Sequence, residues 1–140
     1  MLTLKPVMPE FKISTTNLKV VYTESDGVKV EVGAIPLKNP QSMDWDKCVN
    51  IEICFPLVAE AKCVTVPFYE NHYNGYHIDV PDQEKLHHLG FYEVANSTYL
   101  QENVKKYDPK NRLGLRHYMI TGYDSYVELI ASTYSVNCEV

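Results

Sequence analysis

The stretch from Leu115 to Val136, LRHYMITGYDSYVELIASTYSV, constrains this chain more than any other. It is dense in β-branched and aromatic residues, which suit a pleated, half-buried surface. Gly122, Asp124 and Ser125 place turn formers at its middle. The stretch predicts a β-hairpin that supplies central strands of a sheet. A loop of Tyr123-Asp124, or a longer one from Gly122 to Ser125, gives the same register. Thr121 then faces Tyr126, Met119 faces Glu128 and His117 faces Ile130. Side chains alternate across a strand, so His117, Met119, Thr121, Tyr126, Glu128 and Ile130 share one face. The other face carries Arg116, Tyr118, Ile120, Val127, Leu129 and Ala131. It is the more apolar and is expected to meet the core. His117 and Glu128 become diagonal neighbours, roughly 7–8 Å apart at the backbone and within side-chain reach.

Other strands are predicted at Leu18 to Glu24 and Val28 to Ile35, joined by a turn at Ser25-Asp26-Gly27, where Asp-Gly is a strong hairpin signal. Val28, Val30, Val32 and Ala34 alternate with Lys29 and Glu31, which implies one wet face. Val49 to Phe55 alternates too and stops at Pro56. Cys63 to Val66 is a short apolar strand, and Phe91 to Val94 fits a short strand or turn. Residues 1–16, with Pro6 and Pro9, are expected to form an extended arm with a short strand at Phe11 to Ser14. Two short helices are predicted. One has Pro81 in its first turn and Gly90 at its C-terminal cap, and the other runs from Thr98 to Tyr107 and stops before Pro109. Asn96, Ser97 and Thr98 offer a cap for the second, and Thr98 with Gln101 has the capping-box spacing. The fold class is therefore α+β: a mostly antiparallel β-sheet built from hairpins with two short α-helices, in one domain spanning 1–140. Strands and helices do not alternate, which argues against a doubly wound parallel sheet.

The formal net charge of -5, with a sequence pI near 5.5, argues against nucleic acid, which demands clustered Lys and Arg. Lys105, Lys106, Lys110, Arg112 and Arg116 form a modest basic group, more in keeping with a solvated face. No apolar run approaches the ~20 residues of a membrane span, and the N-terminal residues lack the apolar core of a signal peptide. A cytoplasmic location is expected. Cys48, Cys54, Cys63 and Cys138 contain no C-x-x-C pair, so reduced thiols acting as small buried hydrophobes are expected. Phosphate-cradling glycine motifs are absent.

Two constellations could carry chemistry. Asn74-Gly75 is a hairpin signal, and a hairpin there would set His72 opposite His77 and Glu70 opposite Asp79. Glu70, His72, His77 and Asp79 on one face are ligand types that suit zinc or a similar divalent metal. In the second, Glu128 could orient His117 as a general base. His87 and His88 are adjacent on the first predicted helix and point about 100° apart, so they do not form a chelating pair. The chain also holds 11 tyrosines against four phenylalanines. Tyrosine suits strands and interfaces alike, and Tyr73, Tyr76, Tyr123 and Tyr126 are the candidate interface set. The leading expectation is a small acidic cytosolic interaction protein, of the inhibitor or immunity type, that binds a basic protein partner. The alternatives are a small metal-dependent or general-base enzyme and a small-ligand module with a tyrosine-lined pocket.

Overall fold

A computed structural model describes residues 2–7, 11–14, 17–36, 49–71, 75–79 and 89–139. In chain order the strands are β1 (Leu2–Pro6), β2 (Phe11–Ile13), β3 (Lys19–Thr23), β4 (Gly27–Pro36), β5 (Val49–Phe55) and β6 (Val58–Val64). Helix α1 (Phe68–Asn71) follows, then β7 (Tyr76–Ile78), β8 (Phe91–Val94), helix α2 (Thr98–Tyr107), β9 (Arg116–Thr121), β10 (Tyr126–Ala131) and β11 (Ser135–Glu139). They form two sheets. A six-stranded sheet runs β6-β10-β9-β8-β1-β7, and a second runs β11-β5-β4-β2 with β3 also on β4. All pairings are antiparallel except β1 with β7, which is parallel. The arrangement is α+β, mostly antiparallel sheet with short helices.

The C-terminal hairpin has the register its turn residues predict. Thr121 pairs with Tyr126, Met119 with Glu128 and His117 with Ile130. Tyr118, Ile120, Val127, Leu129 and Ala131 meet Val28, Val30, Val32, Ala34, Ile51, Ile53 and Phe55 from the second sheet in one apolar core. The alternations of β4 and β5 point those residues inward as expected. Arg116 keeps the Tyr118 face but stands at its rim, largely exposed rather than in the core, and its guanidinium meets Glu93 at 3.0 Å.

The opposite face of the hairpin is also covered. Met119 and Tyr126 pack with Leu4, Phe68, Ile78, Tyr92 and Val94 in a second core. Two segments expected elsewhere supply this cover. Leu2–Pro6, read from sequence as part of an arm, is β1, hydrogen-bonded between β8 and β7. Its Leu4 is fully buried. Phe68–Asn71, read as the first half of a hairpin, is a helical turn that follows Pro67, whose fixed φ suits a helix start. It seats Phe68 in the second core with no exposure. Beside it the phenol of Tyr69 lies 2.9 Å from that of Tyr92 and 3.4 Å from Thr121 Oγ1, so buried hydroxyls satisfy one another.

The helix predicted from Pro81, with His87 and His88, lies outside the described residues. Among the described residues, no helix is long and apolar enough to cross a membrane. The thiols differ from expectation: Cys63 is exposed and Cys54 half-buried, both free. Cys54 alternates with the core residues Ile53 and Phe55, so its thiol turns outward, whereas Cys63 lies on the edge strand β6, where residues 61–63 are all exposed.

Candidate functional site

His117 is the centre of a polar line that crosses the outer face of the six-stranded sheet. Its side chain is 4% exposed. Its Nε2 lies 3.1 Å from Glu128 Oε1 on β10, and its Nδ1 lies 2.7 Å from Ser97 Oγ. A carboxylate can only accept, so Nε2 carries the proton and donates to Glu128. In the neutral ring Nδ1 then accepts from the Ser97 hydroxyl. Ser97 is the N-cap of α2, and its Oγ in turn accepts from the Leu100 amide at 2.9 Å. The cap is therefore Ser97, one residue before the predicted Thr98-Gln101 box. The Ser97 hydroxyl thereby joins the first turn of the helix to the buried imidazole.

Sheet register brings the rest of the site together. Glu60, Ile130 and His117 form one row across β6, β10 and β9, and Lys62, Glu128 and Met119 form the next. Helix α2 lies against this face with no fully buried residue of its own. Polar anchors hold it instead. The hydroxyl of Tyr107 donates to Glu60 Oε2 at 2.6 Å, and that of Tyr99 donates to Glu60 Oε1. These two donors hold the Glu60 carboxyl below its ordinary range, Tyr107 contributing most. Conversely, the Glu60 carboxylate pushes the Tyr99 phenol up to about 12. The Tyr99 ring also lies against the His117 imidazole, with centroids 6.0 Å apart.

Between helix and sheet a cleft of about 220 Å³ remains, lined by Leu2, Glu60, Lys62, Tyr99, His117, Glu128 and Ile130. Lys62 Nζ reaches Glu128 Oε2 at 3.7 Å from a side chain 61% exposed. The cleft thus holds two carboxylates, one exposed ammonium, an aromatic ring and apolar walls. Of its lining, the sequence singled out His117 and Glu128. Glu60 and Lys62 were missed because β6 (VAEAKCV) is an edge strand with little apolar alternation. Tyr99 was read only as a helix residue.

The proposed zinc cluster is not assembled as expected. Glu70 sits in α1, whereas His77 lies in β7, paired with Thr3 of β1, and Asp79 follows it. His72 and Tyr73 lie outside the described residues. Among the described residues β7 pairs with β1. Among the described residues no group of three or more His, Cys, Asp or Glu is placed to hold a metal ion. The tyrosine set also divides. Tyr126 is buried with its ring 5.3 Å from Phe68, and Tyr76 is half-buried against Phe68 and Tyr69. They belong to the second core. Tyr123 is 53% exposed, with its hydroxyl 2.5 Å from Ser14 Oγ. Of the basic group, Lys106 lies over the Tyr107 ring at 5.5 Å.

No protein-family model, no curated protein and no solved structure matches this chain.

Proposed function

We propose that this is a small acidic interaction protein, of the inhibitor or immunity type, and that its cleft receives a cationic side chain of a basic protein partner. The observation that carries this reading is the convergence of Glu60 and Glu128 on one cleft beside the Tyr99 ring. Two carboxylates and an aromatic face suit a guanidinium or ammonium group. Leu2 and Ile130 offer apolar wall to its methylene stem. The hydroxyls on Glu60 keep that carboxylate ionised, and the overall charge of -5 favours encounter with a basic surface. The test is calorimetric titration with arginine amide and with neutral citrulline amide. Saturable binding of the arginine compound alone, weakened in Glu60→Gln and by added salt, supports the reading. Equal heats for both compounds would sink it.

A second reading rests on the line Ser97, His117, Glu128, the residue types and order of a hydrolase relay. Ser97 would be the nucleophile, His117 the general base and Glu128 its orienting carboxylate. Three features weigh against it. Ser97 is 6% exposed, its hydroxyl already caps a helix, and it does not line the cleft. Activated nitrophenyl esters decide the matter: turnover that exceeds that of Ser97→Ala would establish an enzyme and displace the first reading.

A further inference from the structure

A second cavity, of about 240 Å³, opens on the other face of the six-stranded sheet and is lined by Lys5, Pro6, Val7, Glu93, Arg116, Tyr118 and Tyr134. Its charge is opposite to that of the first cleft. Lys5 of β1 pairs with Glu93 of β8, which pairs with Tyr118 of β9, so the three stand in one row. Arg116, two positions before Tyr118, shares their face. One carboxylate therefore stands between two cations. The Arg116 contact to Glu93 uses Nη1 alone, at 3.0 Å, and leaves the other guanidinium donors open. Lys5 has no ion-pair partner among the described residues.

Tyr118 supplies the independent sign that the cavity is built to receive something. The residue is 4% exposed, yet its hydroxyl has no hydrogen-bond partner among the described residues. No buried side-chain nitrogen or oxygen in the described structure lacks a partner, so this hydroxyl must reach the cavity rather than be sealed in the core. Burial, and then the nearby Glu93 carboxylate, push the phenol above its ordinary range, so it stays protonated as an O–H donor. The walls are aromatic and apolar. The Tyr134 ring stands 5.6 Å from Tyr118 and 5.0 Å from Phe91, edge-on to both, and Pro6 and Val7 close the side.

We propose that this cavity binds a compact organic carboxylate: the carboxylate takes the Arg116 donors that Glu93 leaves open, lies near the Lys5 ammonium and accepts from the Tyr118 hydroxyl, and its apolar body rests on Tyr134, Pro6 and Val7. A net positive rim in an acidic protein selects for an anion. A single dry donor beside two cations fits the planar, two-oxygen geometry of a carboxylate. The volume lies below the ~300–1,000 Å³ of drug-sized sites, so the guest is no larger than a simple aromatic acid.

Benzoate is the probe, with benzamide as its neutral isostere and sulfate as a bare anion, each titrated into the full chain by calorimetry. Benzoate should bind saturably and benzamide and sulfate should not. Arg116→Gln should weaken benzoate about tenfold or more, and Tyr118→Phe about fivefold. If Arg116→Gln fails to fold because Glu93 loses its partner, the exposed Lys5→Gln takes its place with the same expectation. Three results overturn the proposal: absence of saturable benzoate binding, equal binding of benzamide or sulfate, or benzoate affinity unmoved by these substitutions. Arginine amide binding at the first cleft is measured separately, so either site can fail without the other.

Discussion

Ser97 Oγ stands 2.7 Å from His117 Nδ1, and this contact joins the start of a helix to a buried position of the sheet beneath it. Helix α2 has no fully buried residue, so its position depends on this anchor and on Glu60. Ser97→Ala removes a cap, typically worth about 1 kcal/mol, and also leaves Nδ1 without its donor. Denaturant melts of Ser97→Ala, His117→Phe and the double variant should show a coupling of about 0.5–3 kcal/mol, as for residues of one network. Additive losses would mean that the two side chains stabilise the fold independently.

The core of the hairpin gives a simpler expectation. Leu129 is fully buried between the sheets beside Tyr118, Ile120 and Val127. Leu129→Ala should cost about 2–5 kcal/mol in equilibrium unfolding. A loss below about half a kcal/mol, outside that range, would mean that the site collapses around the deletion.

The hairpin shows why part of this fold was legible. Its faces follow from alternation, and its register follows from loop parity, so Thr121 against Tyr126 makes His117 the diagonal neighbour of Glu128 before any coordinates are known. β4 and β5 were legible for the same reason. What was not legible depends on partners far away in sequence. Leu2, Thr3 and Leu4 pair with Tyr76, His77 and Ile78, and no local pattern announces that a strand from the N-terminal segment will sit there. The local Asn74-Gly75 signal gave no hint of this pairing with β1. β11 was hidden as well, because its pairing is with β5 in the other sheet. The Ser97 contact had a visible half: the cap was among the candidates, but its placement over His117 depends on where α2 crosses the sheet.

Gly27 tests the turn that begins β4. It has φ +78°, and a Cβ there would come within 2.1 Å of the Phe55 carbonyl oxygen. Left-handed backbone alone costs roughly 1–2 kcal/mol for a residue with a side chain. Overlap with fixed backbone adds to it, so Gly27→Ala should exceed that range in a chemical melt. Retention of wild-type stability would mean that β4 and β5 can separate at this end at little cost.

Glu60 and its phenols give a pH dependence of known sign. The folded state holds the Glu60 carboxyl below 4.5, so its contribution is complete above that value and is lost as pH falls through the folded value. The folded state raises Tyr99 from 10 to about 12, so its contribution is complete below pH 10 and is lost as pH rises through about 12. Glu60→Gln should therefore flatten both flanks of the melting temperature profile. It should also return the Tyr99 phenolate absorbance step toward pH 10. A titration unchanged in Glu60→Gln would show that the hydroxyl is not bound to this carboxylate in solution.

Lys62 supplies the sharpest test of the cationic guest. Its ammonium reaches Glu128 at 3.7 Å from a side chain 61% exposed, and exposed pairs of this kind contribute about 0–1 kcal/mol. Removing it should leave the fold intact. In the cleft, however, Lys62 occupies one carboxylate and repels any incoming cation, a cost on the order of 1 kcal/mol at ~4–6 Å in high dielectric. Lys62→Gln should therefore tighten arginine amide severalfold, although it removes a charged residue from the site lining. Glu60→Gln should weaken it, and the two effects should shrink together as salt screens them. An affinity for arginine amide that stays the same or falls in Lys62→Gln would mean that the ammonium does not oppose the cation, and the charge-competition account of this cleft would fail.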